Sequence, residues 1–545
     1  MKRRDHIKGL MLLPLAGSAL PLNSIMAAPP ASADGAEAAA VTDPKTPKPN
    51  IFQSIGVEPI INCRGTFTII GGSLERAEVR AAMEAASRDF VQYDELADGI
   101  GKRLAELTGA EWGMVSAGCA AGMKHITAAC VTGGNPEKLV RIPDIAGFDK
   151  TEVIIPRHSR NTYDHAIRNV GVKIITVETL EELENAINPR TAMIYLMAFD
   201  VASSEAISLE AVAKLAQPRN IPILVDAAAE DLTIPNVHLQ RGATVVVYSG
   251  GKAICGPQCA GLVLGKKDIL MSGWQASSPH HGPGRDNKVG REEMMGMLAA
   301  VEAWIARDHP GEWKRWLTWL DTIARRVTKI DGVKTSVKEP TDLSNRSPVL
   351  IITWDPEKLN ITGEEVAEEV GRSKPRIALG GHSEAGTTSI HITTGQMQPG
   401  QEKIVADRLF DLFSQKRSAR STAMAAASST VTGRWDVTVE FFSSKSQHTL
   451  IMEQDGNWIQ GSHQGDLSTR DMVGTLEADQ IKLRSVDRQP ADSITFIFSG
   501  TVSGDTISGQ IYMGEYRTAK FTAKRHTFRN LHQKIMVPSG PPLAT

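Results

Sequence analysis

Short apolar runs alternate with amphipathic segments between about residues 50 and 300. The apolar runs are rich in Val and Ile, which is typical of buried strands, and helical patterns such as residues 180–187 and 209–215 lie between several of them. The predicted strands are residues 153–155, 172–177, 192–197, 221–225, 244–248 and 262–264. This order predicts an α/β fold with a mostly parallel sheet covered by helices, in a large domain over residues 50–300.

The pattern changes after residue 300. Residues 295–330 read as one long helix or two, and the predicted strands 348–353 and 389–394 are flanked by helical segments, the last at 402–413. These features predict a helical connection and a small α+β domain over residues 301–414. The Ser- and Ala-rich residues 415–430 indicate a linker.

The C-terminal part alternates apolar and polar residues almost throughout. The predicted strands are residues 435–441, 448–453, 458–461, 481–484, 494–500, 506–513 and 518–522, with hairpin turns at 455–457 and 504–505. This spacing predicts an all-β domain over residues 431–526, either an up-and-down barrel or a sandwich, followed by a tail at 527–545. The aromatic residues Trp435, Trp458, Phe496 and Phe498 are expected in its core rather than on a ligand.

The N-terminus resembles a bacterial export signal. Basic residues precede the apolar run 9–22, and small residues of the A-x-A type follow, which predicts a signal peptide over residues 1–33 and a linker over 34–49. The pair Arg3-Arg4 resembles the twin-arginine signal, with an ordinary Sec signal as the alternative. The apolar run is too short to span a bilayer, so we expect a periplasmic or secreted protein without a membrane span in its mature form.

Composition narrows the possible functions. The 60 basic and 62 acidic residues leave a formal net charge of −2, which gives no electrostatic footprint for nucleic acid. Five cysteines are too few for a disulfide framework in 545 residues, and we expect unpaired thiols. Cys255 and Cys259 could pair or bind a metal, but their spacing is weakly diagnostic, and no metal is predicted.

The candidate chemistry begins at Lys252. An apolar strand ends in Ser249, two glycines and this lysine. A lysine near an apolar site is costly unless its pKa falls or its amine is covalently bound, and the glycines allow the backbone to pass close to a flat ligand. The pattern suits a Schiff base to an aldehyde cofactor, pyridoxal 5′-phosphate (PLP). Taken alone, it also describes a surface lysine after a strand.

Asp226 and the segment Met114 to Gly122 extend this pattern. Asp226 ends an apolar strand 26 residues before Lys252, and a carboxylate there is able to pair with a protonated pyridine nitrogen, although it also suits a helix N-cap. The segment opens a helix with small residues, where backbone N–H groups bind phosphate, although tight helix packing explains it equally well. The order of loop, aspartate and lysine is that of fold-type-I PLP enzymes.

Residues 50–415 resemble the selenocysteine synthase (seryl-tRNA selenium transferase) family and its relatives, the glucosaminate-6-phosphate ammonia-lyases. The segments that carry the resemblance are Ile60 to Thr66, Ser116 to Gly122, Ser249 to Lys252 with Gly256-Pro257-Gln258, and Met397 to Gly400. The resemblance implies the PLP fold type I, the aspartate aminotransferase-like fold, with Lys252 as the Schiff-base lysine and Asp226 as the pyridinium partner. It places near the cofactor phosphate Ser116, Gly118, Cys119, Ala120 and Ser249.

Four further residues are candidates, although each histidine also suits an ordinary polar surface position and the arginine an ordinary solvated one. His158, just after the strand at 153–155, is expected to stack on the cofactor ring, with His165 as its rival. Lys288 lies in a segment that resembles one reaching the cofactor phosphate of a neighbouring subunit, and Arg376 could clamp a substrate carboxylate. Because fold-type-I sites are generally built from two subunits, we expect a homodimer or a higher homo-oligomer.

The sequence departs from the family in two places. An export signal and a short linker stand where selenocysteine synthases have a tRNA-gripping module, so we do not expect a tRNA partner, and the β domain is foreign to the family core. The predicted activity is that of a PLP-dependent lyase, through ammonia loss or β-elimination, on an amino acid or amino sugar acid. A transferase, racemase or aldolase of the same fold is the alternative, as is an exported binding or structural protein on a PLP scaffold.

Overall fold

The computed structural model describes residues 50–198, 207–384, 386–419, 423–528, 534, 536–537 and 539–541. The predicted export signal and the linker that follows it lie outside these residues. The chain divides into two units, Met1–Glu58 and Pro59–Thr545, and the described part of the first holds a 3-10 turn at Gln53–Ile55. Within the described residues, no helix is both long and apolar enough to cross a membrane.

The large domain is a seven-stranded sheet flanked by helices. Its strands have almost wholly buried side chains, which explains their near-continuous apolar sequences. In chain order, the elements that lead to and form it are β1 (Ile60–Asn62), α1 (Ala77–Ala86), α2 (Tyr93–Thr108), β2 (Trp112–Ser116), α3 (Cys119–Thr132), α4 (Pro136–Leu139), β3 (Glu152–Pro156), α5 (His165–Arg168), β4 (Lys173–Val177), α6 (Leu180–Ala186), β5 (Thr191–Met197), α7 (Leu209–Ala216), β6 (Ile223–Asp226), α8 (Val237–Gln240), β7 (Val245–Ser249), β8 (Gly261–Gly265), α9 (Lys267–Ala276) and α10 (Arg291–Ala306).

The strand order of this sheet is β2-β8-β7-β6-β5-β3-β4. Strand β8 is antiparallel to both of its neighbours, and all other pairs are parallel. Because two antiparallel steps restore the direction, β2 runs the same way as β3, β5, β6 and β7. The carboxyl ends of these strands therefore meet at one edge of the sheet, which is where ligands bind in open α/β folds. This arrangement confirms the predicted fold class.

A smaller domain follows two separate helices. The helical region predicted as one helix or two is two, because α10 ends before Asp308 caps the next helix by accepting from Gly311 N. The strands of the small domain form an antiparallel sheet in the order β12-β13-β10-β9, while β11 pairs in parallel with β1. The elements are α11 (His309–Val327), β9 (Lys334–Lys338), β10 (Val349–Trp354), α12 (Pro356–Leu359), α13 (Gly363–Arg372), β11 (Arg376–Ala378), β12 (Gly380–Glu384), β13 (Thr387–Thr393) and α14 (Gln401–Phe413).

The C-terminal part is a closed barrel rather than a sandwich. Each strand pairs antiparallel with the next, and the last pairs with the first. Buried and exposed residues alternate along the strands, as a barrel with a filled interior requires. The strands are β14 (Gly433–Glu440), β15 (Lys445–Asp455), β16 (Trp458–Gln464), β17 (Thr469–Glu477), β18 (Gln480–Gln489), β19 (Asp492–Ser503), β20 (Thr506–Tyr512) and β21 (Thr518–Arg525).

The sequence pattern missed strand β17. Its buried residues Met472 and Leu476 are separated by a glycine and flanked by charged residues, so the alternation is weak. Of the four aromatic residues expected in the core, three are buried, whereas Trp458 is exposed at the start of β16. All five cysteines are free, as expected, and Cys259 is exposed.

Candidate active site

The predicted site residues lie at one edge of the large sheet. Asp226 is the last residue of β6, Ser249 is the last residue of β7, and these two strands are parallel neighbours. Ser116 ends β2, which runs in the same direction two strands beyond β7. The hydrophobic strands thus deliver the aspartate, the lysine loop and the small-residue loop to the same crevice.

Asp226 is a buried carboxylate with three donors. The residue as a whole is only 3% exposed to solvent. Oδ2 accepts from the Tyr195 hydroxyl at 3.0 Å, and Oδ1 accepts from the backbone N–H of Ala228 at 3.0 Å and from the thiol of Cys119 at 3.4 Å. A buried carboxylate held in this way is fixed in orientation, and its charge is stabilised by the donors.

Burial and charge act in opposite directions on this carboxyl group. Burial raises the pKa of Asp226, while the donors and the charge of Lys252 lower it. Lys252 therefore lies close enough to Asp226 for its charge to act on this carboxyl group. The Lys252 ammonium lies 5.9 Å from the centre of the Tyr163 ring.

The glycines before Lys252 are required by close packing. A Cβ on Gly251 would lie 2.2 Å from Oε1 of Gln258, and a Cβ on Gly250 would lie 2.8 Å from the carbonyl of Ala260. The Gly251 carbonyl also accepts from the backbone N–H of Ser73 at 2.9 Å. Gln258, from the family-like Gly-Pro-Gln segment, therefore sits against the lysine loop and fixes its path.

Helix α3 points its N-terminus at the same edge. It begins after Gly118, which has a φ of +86° and provides no side-chain cap, so the first N–H groups of the helix are available to a ligand. The Ser116 hydroxyl donates to the Gly118 carbonyl at 2.8 Å, and a Cβ on Gly261 would lie 2.5 Å from the Gly118 carbonyl carbon. Ala120 in the first turn is exposed. This is a cradle that suits a phosphate group.

The Cys119 side chain contacts the buried carboxylate, and its expected place beside the phosphate stays a prediction. The resemblance placed it at the phosphate, and its backbone N–H does lie in the first turn of α3. Its thiol, however, donates to Asp226, and burial raises the pKa of this thiol well above the ordinary value. The residue thus connects the phosphate cradle to the buried carboxylate.

The two candidate histidines differ in their surroundings. His158 lies in a 3-10 turn directly after β3, and its Nε2 is buried without a hydrogen-bond partner among the described residues. Burial lowers the pKa of His158, which favours the neutral ring that stacking on a cofactor uses. His165 is the exposed first residue of α5. The geometry favours His158, and its role stays a prediction.

Lys288 and Arg376 lie outside the strands and loops described above for this site. Lys288 is exposed, in a segment held to α3 because Lys124 pairs with Asp286 at 2.7 Å. Arg376 begins β11 in the small domain, and its Nε donates to the Gly371 carbonyl at 2.7 Å. The proposed contacts of both residues, with a neighbouring subunit and with a substrate, stay predictions.

Sequence reasoning missed the hydroxyl network behind Asp226. Asn161 Nδ2 donates to the Tyr195 hydroxyl at 3.0 Å, and that hydroxyl donates to the carboxylate. Tyr195 is fully buried in β5 between apolar neighbours. The available signal was that a tyrosine inside a buried strand needs a partner for its hydroxyl.

The residues present fit PLP. A buried carboxylate with fixed donors suits a pyridinium, the uncapped N-terminus of α3 suits a phosphate, and Lys252 supplies an amine for the aldehyde. Within the described residues, no group of histidine, cysteine and acidic side chains is arranged to hold a metal ion.

Comparison with known proteins agrees with this geometry. A family profile described as Cys/Met metabolism PLP-dependent enzyme matches residues 93–306. The D-glucosaminate-6-phosphate ammonia lyase of Salmonella typhimurium is 30% identical over 300 residues, which cover 53% of this chain and 79% of the lyase. A solved structure of D-glucosaminate-6-phosphate ammonia-lyase aligns with a TM-score of 0.60 and 25% identity, over 67% of this chain and 98% of that one.

Two further relatives carry other activities. The 5′-C-glycyluridine monooxygenase-decarboxylase of Streptomyces sp is 28% identical, over 60% of this chain and 83% of the relative. The L-seryl-tRNA(Sec) selenium transferase of Proteus mirabilis is 25% identical, over 45% of this chain and 56% of the relative. The shared scaffold therefore serves several reactions.

Proposed function

Because the chain belongs to the family of PLP-dependent enzymes that includes D-glucosaminate-6-phosphate ammonia lyase, we propose that it is a lyase that releases ammonia from an amino acid or amino sugar acid. The single observation that carries the assignment is the buried Asp226 carboxylate, held by three donors on the strand next to the one that leads to Lys252. The identity with the lyase supports ammonia loss over the other reactions of the scaffold.

The residues would hold the cofactor at three points. Lys252 would bind the aldehyde carbon, Asp226 would keep the ring nitrogen protonated, and the N-terminus of α3 after Gly118 would bind the phosphate. When bound, PLP accepts the electron pair left behind when a bond to the substrate α-carbon breaks. The strength of this acceptance depends on the negative charge of Asp226, which the Tyr195 hydroxyl stabilises.

Lys252 is the group that we assign to the proton transfer. Its amine is half-buried at the crevice and, with a substrate bound to the cofactor, would be placed to take the α proton. For a substrate with a hydroxyl on the β carbon, the overall reaction would release one water and take up one water. The products are a 2-oxo acid and ammonia, without net oxidation or reduction.

The cofactor assignment of Lys252 is tested by absorbance. Lys252→Ala should remove the visible absorbance of the protein incubated with PLP and then desalted, whereas Lys102→Ala, which changes an exposed lysine of α2, should retain it. An unchanged spectrum in Lys252→Ala would defeat the assignment.

The reaction is tested by product analysis. Wild-type protein with PLP is incubated with D-glucosaminate 6-phosphate, with D-glucosaminate and with single amino acids, and ammonia and 2-oxo acid are measured together. Equimolar release of both products supports the lyase. Release of CO₂, or an exchange of the α proton without ammonia, would replace it with a decarboxylase or a racemase.

A further inference from the structure

The interior of the barrel carries a polar cluster that the large domain does not use. Inward-facing positions of the strands are mostly apolar, but one end of the barrel holds buried histidine, arginine, serine and aspartate side chains. The members of this cluster are His448, His463, Arg470, Ser485 and Asp487. Buried polar groups are costly in a small barrel unless each one has a partner.

Most of the cluster is internally satisfied. His448 Nδ1 and His463 Nε2 are 2.9 Å apart, and His463 Nδ1 lies 2.8 Å from the Ser485 hydroxyl. Arg470 Nη2 pairs with Asp487 at 3.2 Å. The chain of contacts fixes the side chains in place, so the groups that remain without partners have defined directions.

Arg470 is the exception. Its side chain is only 8% exposed, yet Nε and Nη1 have no hydrogen-bond partner in the described part of the chain. Burial lowers the pKa of Arg470, and the Phe496 ring at 4.8 Å offers only a weak cation–π contact. Two unmet donors on a desolvated guanidinium favour a ligand that supplies oxygen acceptors.

A cavity adjoins the Arg470 side chain. It has a volume of about 530 Å³ and is lined by the polar residues Arg470, His448, Asp466 and Asp487 together with apolar residues such as Phe496 and Met513. Its rim includes Phe442, which is 83% exposed, and Leu467, which is 89% exposed. His448 Nε2 is a further buried atom on this wall without a hydrogen-bond partner among the described residues.

We propose that the barrel binds a small, largely apolar molecule whose oxygen head group accepts hydrogen bonds from Arg470. The apolar walls take the hydrocarbon part, and the cavity volume is in the range of small-molecule sites. Because Asp487 already balances one positive charge, the head group is either a carboxylate or a neutral carbonyl, and both present the same acceptor oxygen.

The end of the barrel that holds this cavity contacts the large domain. The hairpin between β18 and β19, at the same end of the barrel, reaches the large domain, where Thr162 Oγ1 donates to the Ala491 carbonyl at 3.5 Å. Thr162 adjoins Tyr163, whose ring faces Lys252. The ligand would therefore bind near the entrance to the active site.

Calorimetric titration of the full PLP-loaded protein tests the proposal. The probes are decanoate, methyl decanoate and decylamine, which share a chain and differ in the head group. We expect saturable binding of decanoate, of methyl decanoate or of both at one site per chain, and no binding of decylamine. The stronger of the first two probes identifies the charge of the natural head group.

Matched variants locate the site. Arg470→Met with Asp487→Asn removes the buried ion pair as a unit, and it should weaken acceptor binding at least tenfold. Arg484→Met makes the same change on the outside of β18 and should leave binding unchanged. If the double variant fails to fold, Met513→Trp fills the cavity with the ion pair intact and should also weaken binding.

Three results would overturn the proposal. They are the absence of binding by both oxygen-bearing probes, equally strong binding of decylamine, and affinities unchanged in both cavity variants. The test does not depend on the reaction of the large domain, because Lys252→Ala protein should bind the same probes.

Discussion

Removing the Tyr195 hydroxyl tests the buried carboxylate directly. In Tyr195→Phe, Oδ2 of Asp226 loses its donor at 3.0 Å, while the two donors to Oδ1 remain. That hydroxyl lowers the pKa of Asp226 against the raising effect of burial. The substitution should therefore raise this pKa, and the ionised carboxylate should be lost at a higher pH.

The size of the effect follows from the strength of the bond. A hydrogen bond to a charged group contributes about 1.5–3 kcal/mol, and one pKa unit corresponds to about 1.4 kcal/mol. The pKa of Asp226 should rise by about 1–2 units. Because the protonated ring of PLP pairs with the ionised carboxylate, cofactor affinity should begin to fall on the acid side about 1–2 pH units higher than in the wild type.

The assay is PLP titration of the apo-protein, followed by visible absorbance, at a series of pH values. Tyr248→Phe is the matched control. Tyr248 is equally buried on β7, which flanks β6 on the side opposite Tyr195, but its hydroxyl accepts from Asn236 rather than donating to Asp226. An acid limb that does not move in Tyr195→Phe, or that moves equally in Tyr248→Phe, would refute the reasoning.

Three further predictions concern other parts of the chain. Gly261→Ala places a Cβ 2.5 Å from the Gly118 carbonyl carbon, so it should displace the start of α3. PLP binding should weaken about tenfold, and the binding of pyridoxal, which lacks the phosphate, should weaken much less. Equal losses of affinity for both ligands would contradict the phosphate cradle. Burial lowers the pKa of His463 to about 3, below its ordinary value. Burial of the neutral ring therefore stabilises the folded barrel fully above about pH 6.5, and this stability is lost as the pH falls toward 3. Calorimetry should show the barrel melting at lower temperature at pH 4 than at pH 7, with a smaller difference in His463→Gln; an equal difference would exclude this histidine as a cause. Replacing Arg3 and Arg4 by Lys keeps the charge but should leave the precursor in the cytoplasm when cell fractions are blotted, whereas unchanged export would favour the Sec route.

The sequence predicted the elements of the large domain more fully than the shape of the barrel. Strands β3 and β5 to β8 are buried on both faces, so their apolar runs stand out, and the glycines and charged residues that follow them mark their ends. In the barrel the interrupted alternation of β17 hid one strand, and a barrel could not be separated from a sandwich. Closure depends on the pairing of β14 with β21, which local alternation does not encode.

The candidate site divides in the same way. An aspartate at the end of an apolar strand, two glycines before a lysine, and small residues at a helix start are local features, so Asp226, Lys252 and Gly118 were accessible to sequence reasoning. Their partners were not. The thiol of Cys119 reaches a carboxylate 107 positions away, and Gln258 packs against Gly72 and Gly251.

The sequence by itself determined which strands end in chemically useful residues and which family those residues resemble. Only the tertiary structure decided that Tyr195 and Asn161 support Asp226, and that Arg470 is buried beside a cavity with donors to spare. The physical reason is that hydrogen bonding and burial depend on which distant strands become neighbours, and in which register. Hydrophobic periodicity fixes the faces of each strand, whereas strand order and register arise from the packing of the whole chain.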